Sequence, residues 1–153
     1  MKRMVAGLVA AVGVAGWLMA AEADAPAEAA DRYAAWAGEW ALVSFGEGDG
    51  AEAVPDGVQV TFALKPNGEV SGRSGCNQYG GQALPADDPA EAIRFGPLFS
   101  TMMACPEPAM QTEQRFHVAL AAVARGRLGE DGGLRLADAD GRTLLVFRRK
   151  PAD

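Results

Sequence analysis

Short runs of alternating apolar and polar residues, separated by tight turns, are the feature that most constrains this fold. Residues 58–64 (VQVTFAL) place an apolar side chain at every second position, which is the period of a β-strand with one buried face. Residues 65–68 (KPNG) then predict a turn, because proline presets φ and Asn-Gly tolerates positive φ. A returning strand over residues 69–73 completes a hairpin.

The same signals recur on both sides of this hairpin. Residues 39–45 (EWALVSF) are aromatic and β-branched, and strands are predicted at 126–128, 134–137 and 143–148, with turns rich in Gly and Asp between them. Such spacing favours consecutive antiparallel neighbours over βαβ units. We predict an α+β, mostly β fold, in which an antiparallel meander forms a curved sheet or small barrel.

One segment, residues 107–125, has the pattern of a helix instead. Pro106 and Pro108 are tolerated at its start, and one side carries an apolar stripe that would cover an open face of the sheet. The stripe consists of Ala109, Phe116, Leu120, Val123 and Ala124, with Met110 at its edge.

Glu113 projects into the apolar side of this helix, where a carboxylate must find donors or lie at the rim. It stands four residues before His117, the sole histidine, so an i to i+4 pair is expected. Arg73, Arg94 and the backbone amides near Cys76 are further candidate donors, and the sequence does not choose among them.

The N-terminus has the pattern of an export signal. Lys2 and Arg3 precede an uncharged run from residue 4 to residue 21, and small residues precede a predicted cleavage after Ala23. A retained membrane anchor is the alternative, because this uncharged run is just long enough for a transmembrane helix. We predict a signal peptide over 1–23, an Ala-rich tether over 24–34 and one domain over 35–150, in the periplasm or secreted.

Composition excludes several classes of function. The 153 residues leave room for one domain, and a net charge of −6 argues against nucleic-acid binding, which depends on Lys and Arg. No cysteine lies in the first 75 residues, so a lipoprotein anchor has no candidate, and no stable membrane anchor is expected after cleavage. A monomer is expected.

The two cysteines, Cys76 and Cys105, predict a disulfide, because an even pair in an exported chain is usually oxidised. Two buried free thiols are the main alternative, since cysteine is among the most buried residue types. A redox-active pair lacks a Cys-x-x-Cys motif, and a metal site with His117 would match no zinc spacing.

Two segments fit neither a regular strand nor a helix. Residues 72–81 read GRSGCNQYGG, and residues 95–105 read FGPLFSTMMAC. With the helix that follows, they form three ordered blocks, preceded by a G-x-W-x-L opening at Gly38, Trp40 and Leu42. The three blocks contain Gly75, Cys76, Asn77 and Tyr79, then Phe95, Gly96, Pro97, Ser100, Thr101, Met103, Ala104 and Cys105, then Met110, Glu113 and Phe116.

These blocks resemble the META domain family of HslJ-like heat-shock proteins, over about residues 36–149. The resemblance implies a barrel-like antiparallel sheet with one helix, in agreement with the periodicity. It also implies an envelope protein linked to heat-shock expression and antibiotic tolerance, with no established reaction, and a structural hydrogen bond for Glu113. The sequence departs from the family pattern at two positions. Met102 occupies a position where a basic residue is usual, and Ala83 occupies one where an aromatic residue is usual.

No catalytic constellation is visible. Ser100 lacks His and Asp partners, there is no phosphate loop, and residues 138–141 (DADG) lack the later glutamate of a calcium loop, so a turn is expected there. Neither a cofactor nor a metal is expected. Asn77, Gln78, Tyr79, Ser100 and Thr101 are candidates for a polar patch, or for a purely structural role.

The expected function is therefore that of an exported, non-enzymatic protein, acting by binding or by supporting the envelope. Two alternatives stay open, a small-barrel carrier of an apolar ligand and an inhibitor or partner of another envelope protein. A cavity lined by Trp40, Phe62 and Phe147 would favour the carrier. A filled interior with an exposed apolar patch would favour the partner.

Overall fold

The computed structural model of the protein describes residues 33–85 and 91–151. The predicted signal peptide and most of the predicted tether lie outside these residues. The described ranges contain no helical stretch with the length and hydropathy of a membrane span.

Ten strands and one α-helix form the described part of the chain, together with a short 3-10 turn at Gly48–Gly50. They are β1 Gly38–Phe45, β2 Glu52–Ala53, β3 Gln59–Leu64, β4 Glu69–Gly75, β5 Gln78–Pro85, β6 Ile93–Phe95, β7 Phe99–Ser100, α1 Ala109–Ala121, β8 Arg125–Leu128, β9 Leu134–Ala137 and β10 Thr143–Arg149.

The strands form a single antiparallel sheet in which eight follow the order β6-β5-β4-β3-β1-β10-β9-β8, while β2 pairs with β1 and β7 pairs with β5. An isolated bridge between Ala92 and Arg125 joins the two ends of this path. There the Ile93 amide donates to the Ala124 carbonyl at 3.2 Å, and the Gly126 amide donates to the Glu91 carbonyl at 2.7 Å. The sheet is thus a nearly closed barrel, and the predicted fold class is confirmed.

Aromatic side chains fill the middle of the barrel. Trp40, Phe62 and Phe147 are fully buried, and the ring centroids of Phe62 and Phe147 lie 5.4 Å apart. Phe95 adds an edge-on contact to Phe62 at 5.7 Å. These rings occupy the place where a carrier would need its cavity.

Helix α1 is shorter at both ends than the sequence predicted. Pro108 has φ of −92° and ψ of 5°, outside the helical region, so α1 begins at Ala109; it ends at Ala121 because the next residues join the sheet. The Ala124 amide donates to the Ala137 carbonyl at 2.8 Å, which commits the chain to β8. Val123 is still buried, but in the connection and not on the helix stripe.

The start of the domain also needs correction. Tyr33, which the composition assigned to the tether, is buried in the core beside Trp36. The Trp40 indole N–H donates to the Trp36 carbonyl at 2.9 Å, which ties this entry turn to β1. The folded unit therefore includes residue 33.

Candidate functional site

The turn between β4 and β5 lies against the start of α1 and requires a glycine. Gly75 has φ of +116°, and a Cβ atom there would come within 2.9 Å of the Ala109 carbonyl oxygen. Both the backbone conformation and the close approach exclude a side chain. This places the polar residues of the turn directly beside the first turns of the helix.

We expect Gly75→Ala to lower the free energy of unfolding by about 2 kcal/mol, because it adds steric overlap to backbone strain. Gly132→Ala is the matched control, since Gly132 has φ of +74° with no atom near its missing Cβ. The free energy of unfolding of that variant should fall by about 1 kcal/mol, because only the backbone strain is added. Urea unfolding measures both, and equal losses would contradict close packing of the turn on α1.

Glu113 accepts hydrogen bonds from this turn and from Ser74 near the end of β4. Its Oε2 atom accepts from the Ser74 hydroxyl at 2.8 Å and from the Asn77 backbone N–H at 2.7 Å. Its Oε1 atom accepts from the Asn77 side-chain amide at 2.7 Å. The carboxylate is buried, so these donors replace the water that it gives up on folding.

Burial alone would raise the pKa of Glu113, but the donors from Asn77, Ser74 and the Cys76 backbone outweigh it and lower the pKa below its ordinary value. The carboxylate is therefore ionised at neutral pH. Among the candidate donors predicted from the sequence, the backbone amides near Cys76 bind Glu113, and neither Arg73 nor Arg94 donates to it. Ser74 was missed, because a serine in a strand gives no signal of its own.

The predicted pair of Glu113 with His117 is wrong. The His117 ring instead packs edge-on against Tyr79, with ring centroids 5.6 Å apart, and lies 5.7 Å from Phe116. Its Nε2 atom has no hydrogen-bond partner among the described residues. The two Glu113 oxygens are taken by the β4–β5 turn, which leaves the local helical pairing unused.

Asn77 connects this carboxylate to the segment after β7. Its Oδ1 atom accepts from the Thr101 hydroxyl at 2.8 Å and from the Met103 backbone N–H at 2.7 Å. Its Nδ2 atom also donates to the Met103 carbonyl at 3.2 Å. The Thr101 hydroxyl in turn accepts from the Gln78 N–H at 3.1 Å. Asn77 and Thr101 therefore hold the backbone of this segment in place, which is the structural role that the sequence left open for them.

The disulfide between Cys76 and Cys105 fastens the far end of the same segment. The two Cα atoms lie 5.8 Å apart, and Cys76 is buried. The predicted disulfide is thus present, and the described residues contain no free cysteine.

We call residues 99–104 the exposed segment, because all six are exposed to solvent. Three are large and apolar, with exposed fractions of 74% for Phe99, 98% for Met102 and 54% for Met103. The Phe99 ring lies over Gly80, where a Cβ atom would come within 2.5 Å of it. The segment thus presents apolar side chains on a fixed backbone.

The exposed segment also has an open edge. Strand β7 pairs with β5 alone among the described strands, with Ser100 opposite Tyr79. Because the Thr101 amide donates to the Gln78 carbonyl at 2.9 Å, the antiparallel alternation directs the N–H and C=O of Ser100 away from β5. On the other side of β7 from this edge, a groove of about 510 Å³ lies over β4 and β5 and is lined by residues that include Glu69, Ser71, Gln78, Phe99, Ser100 and Thr101.

Tyr79 and Gly96, two further motif residues, make hydrogen bonds that hold the sheet together. The buried Tyr79 hydroxyl donates to the Thr61 carbonyl at 2.8 Å, burial raises the pKa of Tyr79, and its ring packs 5.4 Å from that of Phe116. The Gly96 amide donates to the Gln82 carbonyl at 2.9 Å. Pro97 is exposed, Ala104 belongs to the exposed segment, and Met110 is half-buried on α1.

The DADG segment is a turn, as predicted. The Gly141 amide donates to the Asp138 carbonyl at 3.0 Å, and the Asp138 carboxylate accepts from the backbone N–H groups of Asp140 and Arg142. Within residues 33–85 and 91–151, no group of three or more His, Cys, Asp or Glu side chains could hold a metal ion.

These features define a class of small antiparallel barrel in which one helix, one buried carboxylate and one disulfide hold an apolar segment at the surface. The model of the META domain family matches residues 34–151. The chain belongs to this family, as the sequence motifs indicated. No curated protein sequence gives a significant match to it.

Solved structures share the fold. An NMR structure of a protein from Burkholderia xenovorans is 30% identical, with a TM-score of 0.62 over 79% of this chain and 89% of that one. A crystal structure of a DUF4847 family protein from Bacteroides vulgatus is 17% identical, with a TM-score of 0.52 over 76% of this chain and 95% of that one. The second likeness shows the fold alone.

Proposed function

We propose that the protein is an exported, non-enzymatic binding protein of the bacterial cell envelope. We further propose that the exposed segment docks an extended, uncharged stretch of another envelope protein. The observation that carries this proposal is a run of six exposed residues, three of them large and apolar, on a backbone that is fixed from both ends.

Two observations support export. The N-terminal residues have the charge and hydropathy pattern of a signal peptide. The domain also contains a disulfide, Cys76 to Cys105, and disulfides persist mainly in oxidising compartments outside the cytoplasm.

The chemistry of the exposed segment favours an extended partner. The backbone groups of Ser100 face the open side of β7, and a strand added there would pair with them. Residues 95–105 carry no charge, so the partner stretch needs no charge to complement them. Phe99 and Met102 flank the edge and would bury apolar surface against the added strand.

The carrier alternative has less support. Its cavity would lie among Trp40, Phe62 and Phe147, whose rings pack in the core. A small ligand would instead have to use the open groove over β4 and β5, on the side of β7 away from the edge where the partner stretch would pair.

The proposal is tested by photo-crosslinking in living cells that express the full chain. A photoreactive residue at position 102 should crosslink to one envelope protein, and the crosslinked site should lie in an extended, uncharged stretch. The matched control is position 118, because Val118 is 73% exposed and lies on α1, which packs mainly on β4, β10 and β6. Equal crosslinking at both positions would contradict the proposal.

A synthetic peptide of the crosslinked stretch provides the second measurement. Met102→Asp should weaken its binding to the purified protein at least about tenfold, or about 1.4 kcal/mol, because the variant puts a charge against an apolar contact. Val118→Asp should leave the affinity unchanged. On binding, the Ser100 amide should become protected from hydrogen exchange, and a lack of protection would argue against strand addition.

A further inference from the structure

Three methionines of the described chain differ strongly in their access to solvent. Met102 is 98% exposed, Met103 is 54% exposed, and Met110 is half-buried on α1. A thioether is oxidised according to its exposure, so these side chains should differ in reactivity. Met102 also belongs to the proposed docking surface.

The backbone on both sides of Met102 is held in place. The Thr101 hydroxyl donates to Asn77, and the Met103 N–H and C=O both bond to the Asn77 side chain. Because these anchors fix the backbone direction, the Met102 side chain cannot turn inward without breaking them. Its thioether therefore stays in solvent as long as the domain is folded.

We infer that Met102 is an oxidation site that regulates docking. The sulfur lone pair attacks one oxygen of hydrogen peroxide, an S–O bond forms and the O–O bond breaks. The departing hydroxide and the proton left on the transferred oxygen give water, so the sulfur loses two electrons and the peroxide gains them. The product is methionine sulfoxide.

The sulfoxide changes the surface but not the fold. It turns a flexible apolar side chain into a polar one, which weakens apolar contacts made by that side chain. Met102 is almost wholly exposed, so its oxidation disturbs no buried packing. The regulatory part of this inference rests on the proposed docking function, whereas the oxidation itself does not.

The oxidation is tested on the full chain with graded hydrogen peroxide and peptide-resolved mass spectrometry. Met102 should gain one oxygen several-fold faster than Met103 and faster still than Met110. Unfolding in urea should remove the difference, because exposure causes it. The inference is overturned if Met102 reacts no faster than Met110 in the folded protein.

The regulation is tested with the photoreactive residue at position 99 instead of 102. Peroxide treatment of cells should lower the crosslink yield several-fold in the protein with Met102, and leave it unchanged in Met102→Leu, which stays apolar and cannot form a sulfoxide. Met102→Gln, a polar stand-in for the sulfoxide, should lower the yield without peroxide.

The two proposals fail in different ways. If crosslinking at position 99 is equally strong before and after oxidation of Met102, the regulation is overturned while docking stands. If untreated protein gives no crosslink at positions 99 and 102, the docking function and its regulation are both overturned, and mass spectrometry alone decides the oxidation site.

Discussion

Replacing Glu113 by alanine is expected to lower the free energy of unfolding by about 3 to 4 kcal/mol. The carboxylate accepts from the Ser74 hydroxyl and from two N–H groups of Asn77, and all three donors lie in the interior. Alanine removes the acceptor from two buried N–H groups of Asn77, whereas the Ser74 hydroxyl keeps the Asn77 carbonyl as an acceptor at 3.0 Å. Equilibrium unfolding in urea, followed by tryptophan fluorescence, measures the loss.

Two further variants separate the hydrogen bonds from the negative charge. Glu113→Gln keeps the size of the side chain, but either orientation of its amide turns an NH₂ group toward a donor of Asn77, so we expect a loss of about 2 kcal/mol. Glu130→Ala removes an exposed carboxylate and should stay within about 0.5 kcal/mol of the wild type. If Glu113→Ala lost as little unfolding free energy as Glu130→Ala, the Glu113 carboxylate would not stabilise the fold.

The effect of Glu113 should depend on pH in one direction. Folding lowers its pKa, so its contribution is complete above the ordinary value of 4.5 and is lost as the pH falls below that value through the folded pKa. The gap in unfolding free energy between wild type and Glu113→Ala should therefore narrow in acid. The gap is the informative quantity, because Asp138 and Glu47 also have lowered pKa values.

Removing the disulfide is expected to cost about 3.5 kcal/mol, the chain-entropy value for a loop of this size. The bond joins residues 29 apart, so its loss frees a long loop in the unfolded state. The double variant Cys76→Ala, Cys105→Ala and the wild type in reductant should lose similar amounts. Urea midpoints under both conditions give the measurement.

The double variant also serves as its own control. Reductant should not change its unfolding curve, since it has no disulfide to reduce. If reduction leaves the wild-type midpoint unchanged, the disulfide does not stabilise the domain. A larger loss in the alanine variant than in reduced wild type would measure the packing of the buried Cys76 side chain.

The strands were largely predictable from sequence, because their signals are local. The alternation over residues 58–64 and the Asn-Gly turn at Asn67 and Gly68 identify the β3–β4 hairpin without knowledge of the rest. The end of α1 was not predictable in this way. Its Ala-rich continuation favours a helix locally, but the backbone bond from Ala124 to Ala137 in the sheet overrides that preference.

The site was predictable only in part, because its contacts are distant in sequence. The motifs indicated that Glu113 needs donors, but Asn77 lies 36 residues away and carries no charge that would single it out. The local rule for helical pairs therefore pointed to His117 instead. The exposure of Phe99 was equally hidden, since an aromatic side chain is usually buried, and here it lies over Gly80 on the outer face.

The exposed segment owes its shape to groups other than its most exposed side chains. The Asn77 side chain and β5 hold its main chain, and the disulfide holds its end, whereas the side chains at positions 99 and 102 project outward. Changes at these two positions should therefore alter recognition with little loss of stability. The domain would serve as a display scaffold, on which a library of surface side chains can be varied while one set of buried groups keeps the backbone constant.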